Sequence, residues 1–317
     1  SDVFATWHDP HAEDLAYASL AAAYGLVALV ALAQLARIHA RVPEYGWTTQ
    51  KTFHFLHFAC ATLRALVFSL RENIDDAFLE AVSDDETKSN KSRACLWTVI
   101  RNVAFDVPCL LFFTAYALLV LFWAEMYYRA RGKLGSSPRR IFYGANLVLY
   151  VALGALWIAG GVVDRRSAEY NSDTHTILQT TAAGIIAVSA LAIAALFLKY
   201  GGSLWIMLRR FPPTAKGRRK KLREIGVVTS ICVLCFSARA AAVIAEAVFL
   251  GENTKTKNGG GFLDQTHPKT PFADVAYYVA CELFPAVTAL FVLRKLPPKA
   301  REGASRDDPP RRGDENA

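Results

Sequence analysis

Four ionisable residues, Arg64, Asp106, Arg239 and Glu282, fall inside apolar stretches long enough to cross a bilayer. A charge at that depth is costly, so such residues either brace one helix against another or mark a proton or ion path. Counting along the runs puts Arg64 and Asp106 at one depth and Arg239 and Glu282 at another. Two intramembrane ion pairs are therefore expected, Arg64 with Asp106 and Arg239 with Glu282, and bracing is the stronger reading of both.

Other reactive side chains exclude more than they suggest. A transmembrane dihaem centre needs axial histidines on facing helices, yet His54 and His57 share one run and no other run has a central His. A Schiff-base chromophore needs a lysine in a helix centre, which the third and seventh runs lack. A seven-helix zinc hydrolase needs His and acids gathered near one face; His175 and His267 stand alone, and neither HxxxH nor HExxH occurs. Cys232 and Cys235 have CxxC spacing but lie in an apolar run without a second pair, so they read as small core residues. No enzyme, cofactor or metal site is expected.

The elements that must position these residues follow from composition. Hydrophobic types make up 53% of 317 residues. Seven apolar runs recur, near 16–38, 52–70, 103–128, 141–163, 177–200, 225–250 and 272–293, each long enough for about 30 Å of hydrocarbon at about 1.5 Å per residue. The expected fold is all-α, a polytopic membrane protein with seven transmembrane helices in a receptor-like (GPCR-like) bundle. Residues 1–15 would form a short lumenal segment, 16–296 the bundle and 297–317 a disordered cytoplasmic tail. The acidic start of the chain has no basic n-region, so the first run is expected to act as an uncleaved anchor.

Orientation follows from charge. Between Tyr200 and Gly226 lie Arg209, Arg210, Lys216, Arg218, Arg219, Lys220, Lys221 and Arg223 against one Glu. Placing this connection in the cytoplasm, with the N-terminus lumenal, Lys51 counted in the first cytoplasmic loop and 73–92 read as a lumenal loop, gives that side more than twice the Lys and Arg of the other. The net charge of +8 is thus partitioned by topology. It suits anionic lipid headgroups, and no direct nucleic-acid binding is expected. Asn90-Lys91-Ser92 is a glycosylation sequon on the lumenal side, near the third helix. A signalling receptor of the seven-helix class matches in helix number and orientation. The third run, however, ends AEMYYRAR without Asp-Arg-Tyr, and the seventh carries ELFPAV where Asn-Pro-x-x-Tyr would stand. A receptor or transporter with a ligand site in the bundle remains the alternative reading.

Four segments, VPEYGWTTQKTFH (42–54), LLFFTAYALLVLFWAEMYYRAR (110–131), KYGGSLWIMLRRFPPTAKGRRKKLREIG (199–226) and LRKLPPK (293–299), occur in an order and spacing that resembles the plant tobamovirus multiplication protein family. The resemblance runs from about Tyr17 to Lys299. It implies a noncatalytic protein of the vacuolar membrane, the tonoplast, that tobamoviruses use to anchor their replication complex. It also implies three partners: the viral replication protein, through its helicase-like region; an Arf-like small GTPase; and a tetraspanin-like membrane protein. Topology alone suggests where they would dock: Tyr45 and Trp47 in the first cytoplasmic loop, and Arg209, Arg210, Arg218, Arg219, Lys220, Lys221 and Arg223 in the third.

Overall fold

The computed structural model describes residues 10–41, 47–83, 88–132, 137–166, 172–209, 216–245 and 271–293. Tyr45, Arg210 and the tail from 294 onward lie outside them, as does 1–9 of the N-terminal segment. Every regular element among the described residues is helical. Hydrocarbon leaves no water to satisfy backbone N–H and C=O groups, so an apolar run must close its hydrogen bonds within itself.

The helices are α1 (Pro10–Arg41), α2 (Thr49–Ser69), α3 (Arg71–Ser83), α4 (Lys88–Ala130), α5 (Ser137–Arg166), α6 (Ser172–Arg209), α7 (Lys216–Ala245), and α8 (Pro271–Tyr278) continued through a π turn (Val279–Leu283) into α9 (Phe284–Leu293). Among the described residues seven spans are long and apolar enough to cross a membrane: Glu13–Arg41, Thr49–Ser69, Cys95–Ala130, Pro138–Val162, Thr180–Met207, Arg223–Ala245 and Asp274–Leu293. The chain is a multi-pass membrane protein.

Local chemistry sets the ends. Extended Thr48 caps α2, its hydroxyl accepting from the Lys51 N–H at 3.3 Å. Gly132 stops α4 at φ +69°, a left-handed conformation in which a Cβ would be strained, with its N–H on the Arg129 carbonyl at 3.1 Å. The π turn precedes Pro285, whose ring would meet the carbonyl of residue 281 in a regular helix. Widening the turn to an i→i−5 bond, Phe284 N–H to Val279 O, relieves that clash.

One expectation is corrected. The stretch 73–92 reads as a loop, yet its first part is helix α3, and α4 begins at Lys88, well before the apolar run near 103. The spacing of Ile74, Ala77, Phe78 and Val82 is that of an amphipathic interfacial helix, whose four acids dilute any hydropathy average. Lys51, counted as a loop cation, lies instead in the first turn of α2 at 3% exposure.

α4 is the hub of the bundle and α5 its rim: 67% of the apolar window of α4 is buried against 6% for α5. Around α4, helices α1 and α2, α6 and α7, and α7 and α9 pack as neighbours, and α8 and α9 return to α1. Leu110, Phe113, Tyr116, Phe197 and Phe236 form the centre. α6 and α7 pack along their length, allowed by Gly201: a Cβ there would lie 2.7 Å from the Trp123 ring and 2.9 Å from Thr229 Cγ2.

Candidate functional site

The buried charges converge on Glu282, which the π turn presents to the middle of the bundle. Arg64 of α2 reaches it with Nη2 on Oε1 at 2.9 Å and Nε on Oε2 at 3.2 Å. Arg239 of α7 puts Nη1 on Oε1 at 2.8 Å, and the Tyr24 hydroxyl of α1 donates to Oε2 at 2.8 Å. Four donors fill the four lone-pair positions of one carboxylate. All four residues are at most 3% exposed.

Two guanidinium groups on one carboxylate leave a positive excess, and the surroundings disperse it. The third Arg64 donor, Nη1, bonds the Phe105 carbonyl at 3.1 Å, and its guanidinium lies 4.9 Å from the Tyr278 ring centre. Arg239 Nη2 contacts Cys109 Sγ, and its guanidinium lies 5.3 Å from the Phe113 ring centre and 5.6 Å from that of Tyr277. A carboxylate so saturated is a poor proton acceptor and a good clasp. It ties α1, α2, α7 and the π turn at one depth, and α4 through Phe105 and Cys109.

The expected pairing is half changed. Arg239 meets Glu282 as its depth suggests, but Arg64 joins the same carboxylate rather than Asp106. Asp106 accepts from Trp157 Nε1 of α5 at 2.7 Å. Depth alone misses this because it ignores the direction a side chain takes around its helix: Asp106 sits about 100° from Phe105, the residue that faces Arg64. Tyr24, Cys109 and Trp157 escaped sequence reasoning. A hydroxyl or indole in an otherwise Ala/Leu run was the available signal.

Of the expected docking residues, Tyr45 and Arg210 lie outside the described residues; Trp47, Arg209, Arg218, Arg219, Lys220, Lys221 and Arg223 lie at or beside helix ends at the side of the bundle marked by Arg129, Arg139 and Lys199, the basic end. There α6 and α7 continue beyond the aromatic cluster of Tyr127, Tyr128 and Tyr200, whose ring centres lie 5.6–6.2 Å apart. Leu208 and Arg209 of α6 and Lys216 to Leu222 of α7 extend past the apolar spans, the seven residues of α7 adding about 10 Å. Across from them the start of α7 includes Arg218, Arg219, Lys220 and Lys221 within helix. Arg209 and Arg223 are exposed, with the Arg209 guanidinium 5.3 Å from the Trp205 ring centre. The basic segment thus includes the helical ends of α6 and α7, a short two-helix arm, as well as the sequence that joins them. Trp47 is 70% exposed at the same end, edge-on to Phe55 at 5.6 Å.

At the opposite end, Arg101 of α4 holds Asp75 of α3 at 2.9 Å, the Arg71 guanidinium lies 3.9 Å from the Tyr17 ring centre, and the Tyr17 hydroxyl donates to Asp274 at 2.7 Å. Glu72 of α3 has its carboxyl raised above the usual range, first by a hydrogen bond with Asp14 and then by that neighbour's charge. Asn90 occupies the first turn of α4. Among the described residues no group of three His, Cys, Asp or Glu could hold a metal ion.

Comparison with known proteins finds relatives over nearly the whole chain. A THH1/TOM1/TOM3 domain matches residues 5–307. The chain is 40% identical to tobamovirus multiplication protein 3 of Arabidopsis thaliana, over 92% of this chain and 85% of that protein. It is 40% identical to tobamovirus multiplication protein 3 of Nicotiana tabacum, over 90% and 84%. With tobamovirus multiplication protein 1 of Arabidopsis thaliana the identity is 39%, over 90% and 85%. No solved structure matches the chain.

Proposed function

Because the chain belongs to the THH1/TOM1/TOM3 family, we propose that it supports tobamovirus multiplication as a noncatalytic membrane anchor, tethering the viral replication complex to the vacuolar membrane through its basic end. The relatives' names motivate the viral role. The observation that carries the anchoring reading is the helical end shared by α6 and α7, where Arg209 and the Lys216–Leu222 turns of α7 lie outside the apolar spans that end at Met207 and begin at Arg223. Charge of one sign on such an end recruits partners and anionic headgroups over about a Debye length, without needing a pocket. With the positive side in the cytosol, the arm faces the compartment where a viral helicase-like region, an Arf-like small GTPase and a tetraspanin-like protein's cytosolic segments would meet it.

The saturated clasp at Glu282 favours this reading over a receptor or transporter, since its oxygens have no capacity left for a ligand. The test is charge reversal on the arm, replacing Arg218, Arg219, Lys220 and Lys221 by Glu in the full chain. Flotation of a viral helicase domain with membranes carrying the variant should fall several-fold while the variant's thermal stability stays unchanged. Undiminished recruitment by a folded variant would remove the arm from the proposal.

A further inference from the structure

Three buried polar side chains in the basic half of the bundle, His54 and His57 one turn apart on α2 and Tyr116 beside His57, lack the bonds they need. His54 is fully buried, Tyr116 is fully buried and His57 is 4% exposed. His57 lies with Nδ1 3.1 Å from the Phe53 carbonyl; a carbonyl only accepts, so Nδ1 carries the proton and Nε2 of the neutral ring presents a lone pair. That Nε2 has no hydrogen-bond partner in the protein, nor do the Tyr116 hydroxyl and either nitrogen of His54. His54 lies near the Leu293 carbonyl, outside hydrogen-bond geometry, and that carbonyl accepts from Gln50 Nε2 at 2.7 Å. The His57 and Tyr116 rings stand edge to face with centres 5.6 Å apart, and no hydrogen bond joins them. Leaving such groups unpaired in a core is costly, and their clustering argues for a shared partner.

We propose that Tyr116, His57 and His54 hold an internal water molecule at the junction of α2, α4, α6 and α7. A buried water makes about three hydrogen bonds, and the site offers a hydroxyl donor, an imidazole lone pair and a second imidazole. His54 and His57 are one helical turn apart on α2, and Lys51, another turn toward the basic end, shares their buried face, so the polar side chains of α2 form one stripe that leads to the site. Phe197 of α6 and Phe236 of α7 pack on the Tyr116 ring with centres 6.3 and 5.1 Å away. The water therefore sits at the root of the two helices that form the arm, an adaptable polar contact in an otherwise apolar joint.

Radiolytic hydroxyl-radical footprinting of the full chain in lipid nanodiscs tests the site. Tyr116 and His57 should label several-fold faster than Phe113 and Phe236, which are equally buried; labelling at the rate of those phenylalanines overturns the proposal. Tyr116→Phe supplies a second reading. With the water present, the variant loses a few degrees of Tm together with the excess labelling of His57. A dry core predicts an equal or higher Tm, because an unpaired hydroxyl has been removed. Should the variant fail to fold, the wild-type labelling ratio decides alone.

Discussion

The clasp at Glu282 and the arm of α6 and α7 both carry more cations than anions, yet the two excesses act in opposite ways. In the clasp, Arg64 and Arg239 share one carboxylate in a setting where Coulomb energies are several-fold larger than in water, and each guanidinium also meets a carbonyl, a thiol or aromatic faces. In the arm, Arg209 and Arg223 are exposed to a screening solvent and contribute little to folding. Equal charge types thus serve cohesion where they are buried and saturated, and under the proposed function recruitment where they are exposed. Burial decides the role more than charge does.

The largest expected effect breaks the buried side of that contrast. Glu282→Gln leaves two guanidinium groups in the core with no counter-charge, which should cost about 3–5 kcal/mol and most of the folded protein. Thermal unfolding in detergent checks this. Arg239→Ala should also reduce the yield of folded protein, and less severely, because Glu282 keeps Arg64 and Tyr24. A Glu282→Gln variant of unchanged Tm that had lost recruitment would invert the assignment and give the clasp a functional role. Next comes the joint between the two regions. Gly201→Ala drives a Cβ into Thr229 and the Trp123 ring and should cost about 1–3 kcal/mol, loosening the root of the arm. Hydrogen exchange should then rise along Gly202–Arg209 more than in α2.

The exposed side is sharpened by salt. Raising ionic strength from 0.15 to 1 M shortens the Debye length from about 8 to about 3 Å, so arm-dependent recruitment should fall steeply. The melting temperature should barely move, because the clasp is out of reach of ions. Recruitment insensitive to salt would mean that an apolar contact, such as exposed Trp47, dominates docking.

The sequence made the seven spans, the intramembrane ionisable residues and the basic connection legible, because hydropathy and charge are summed over neighbours in the chain. What it left open depends on direction and on distant partners. Arg64 and Asp106 share a depth, but only packing decides that one turns to Glu282 and the other to Trp157. Tyr24 becomes part of the clasp through a contact 258 residues away in the chain. Helix α3 was hidden for a different reason: an interfacial helix balances acids against apolar residues, so a hydropathy average reads it as loop. Lys51 shows the reverse error, a cation assigned to a loop by its charge and buried by its helical register.

The smallest expected effect lies at the end of the bundle opposite the arm and completes the contrast with an exposed acidic contact. Glu72 is exposed, so its contact with Asp14 competes with water, and its carboxyl is raised chiefly by a hydrogen bond with that residue. A carboxyl raised on folding binds its proton more tightly in the folded state. Its contribution is therefore present at pH below the raised folded value and disappears as pH rises through it, when two carboxylates repel. The junction of α1 and α3 should tighten in acid and loosen toward neutrality. Hydrogen exchange in α3, corrected for the intrinsic pH dependence, should be slower at acidic pH in the wild type, and Glu72→Gln should flatten that response while leaving the Tm of the bundle within a degree or two. A pH response of α3 that survives the substitution would move its origin to Asp75 and Arg101, the partly buried pair on the same helix, and would show that even at this end burial outweighs exposed charge.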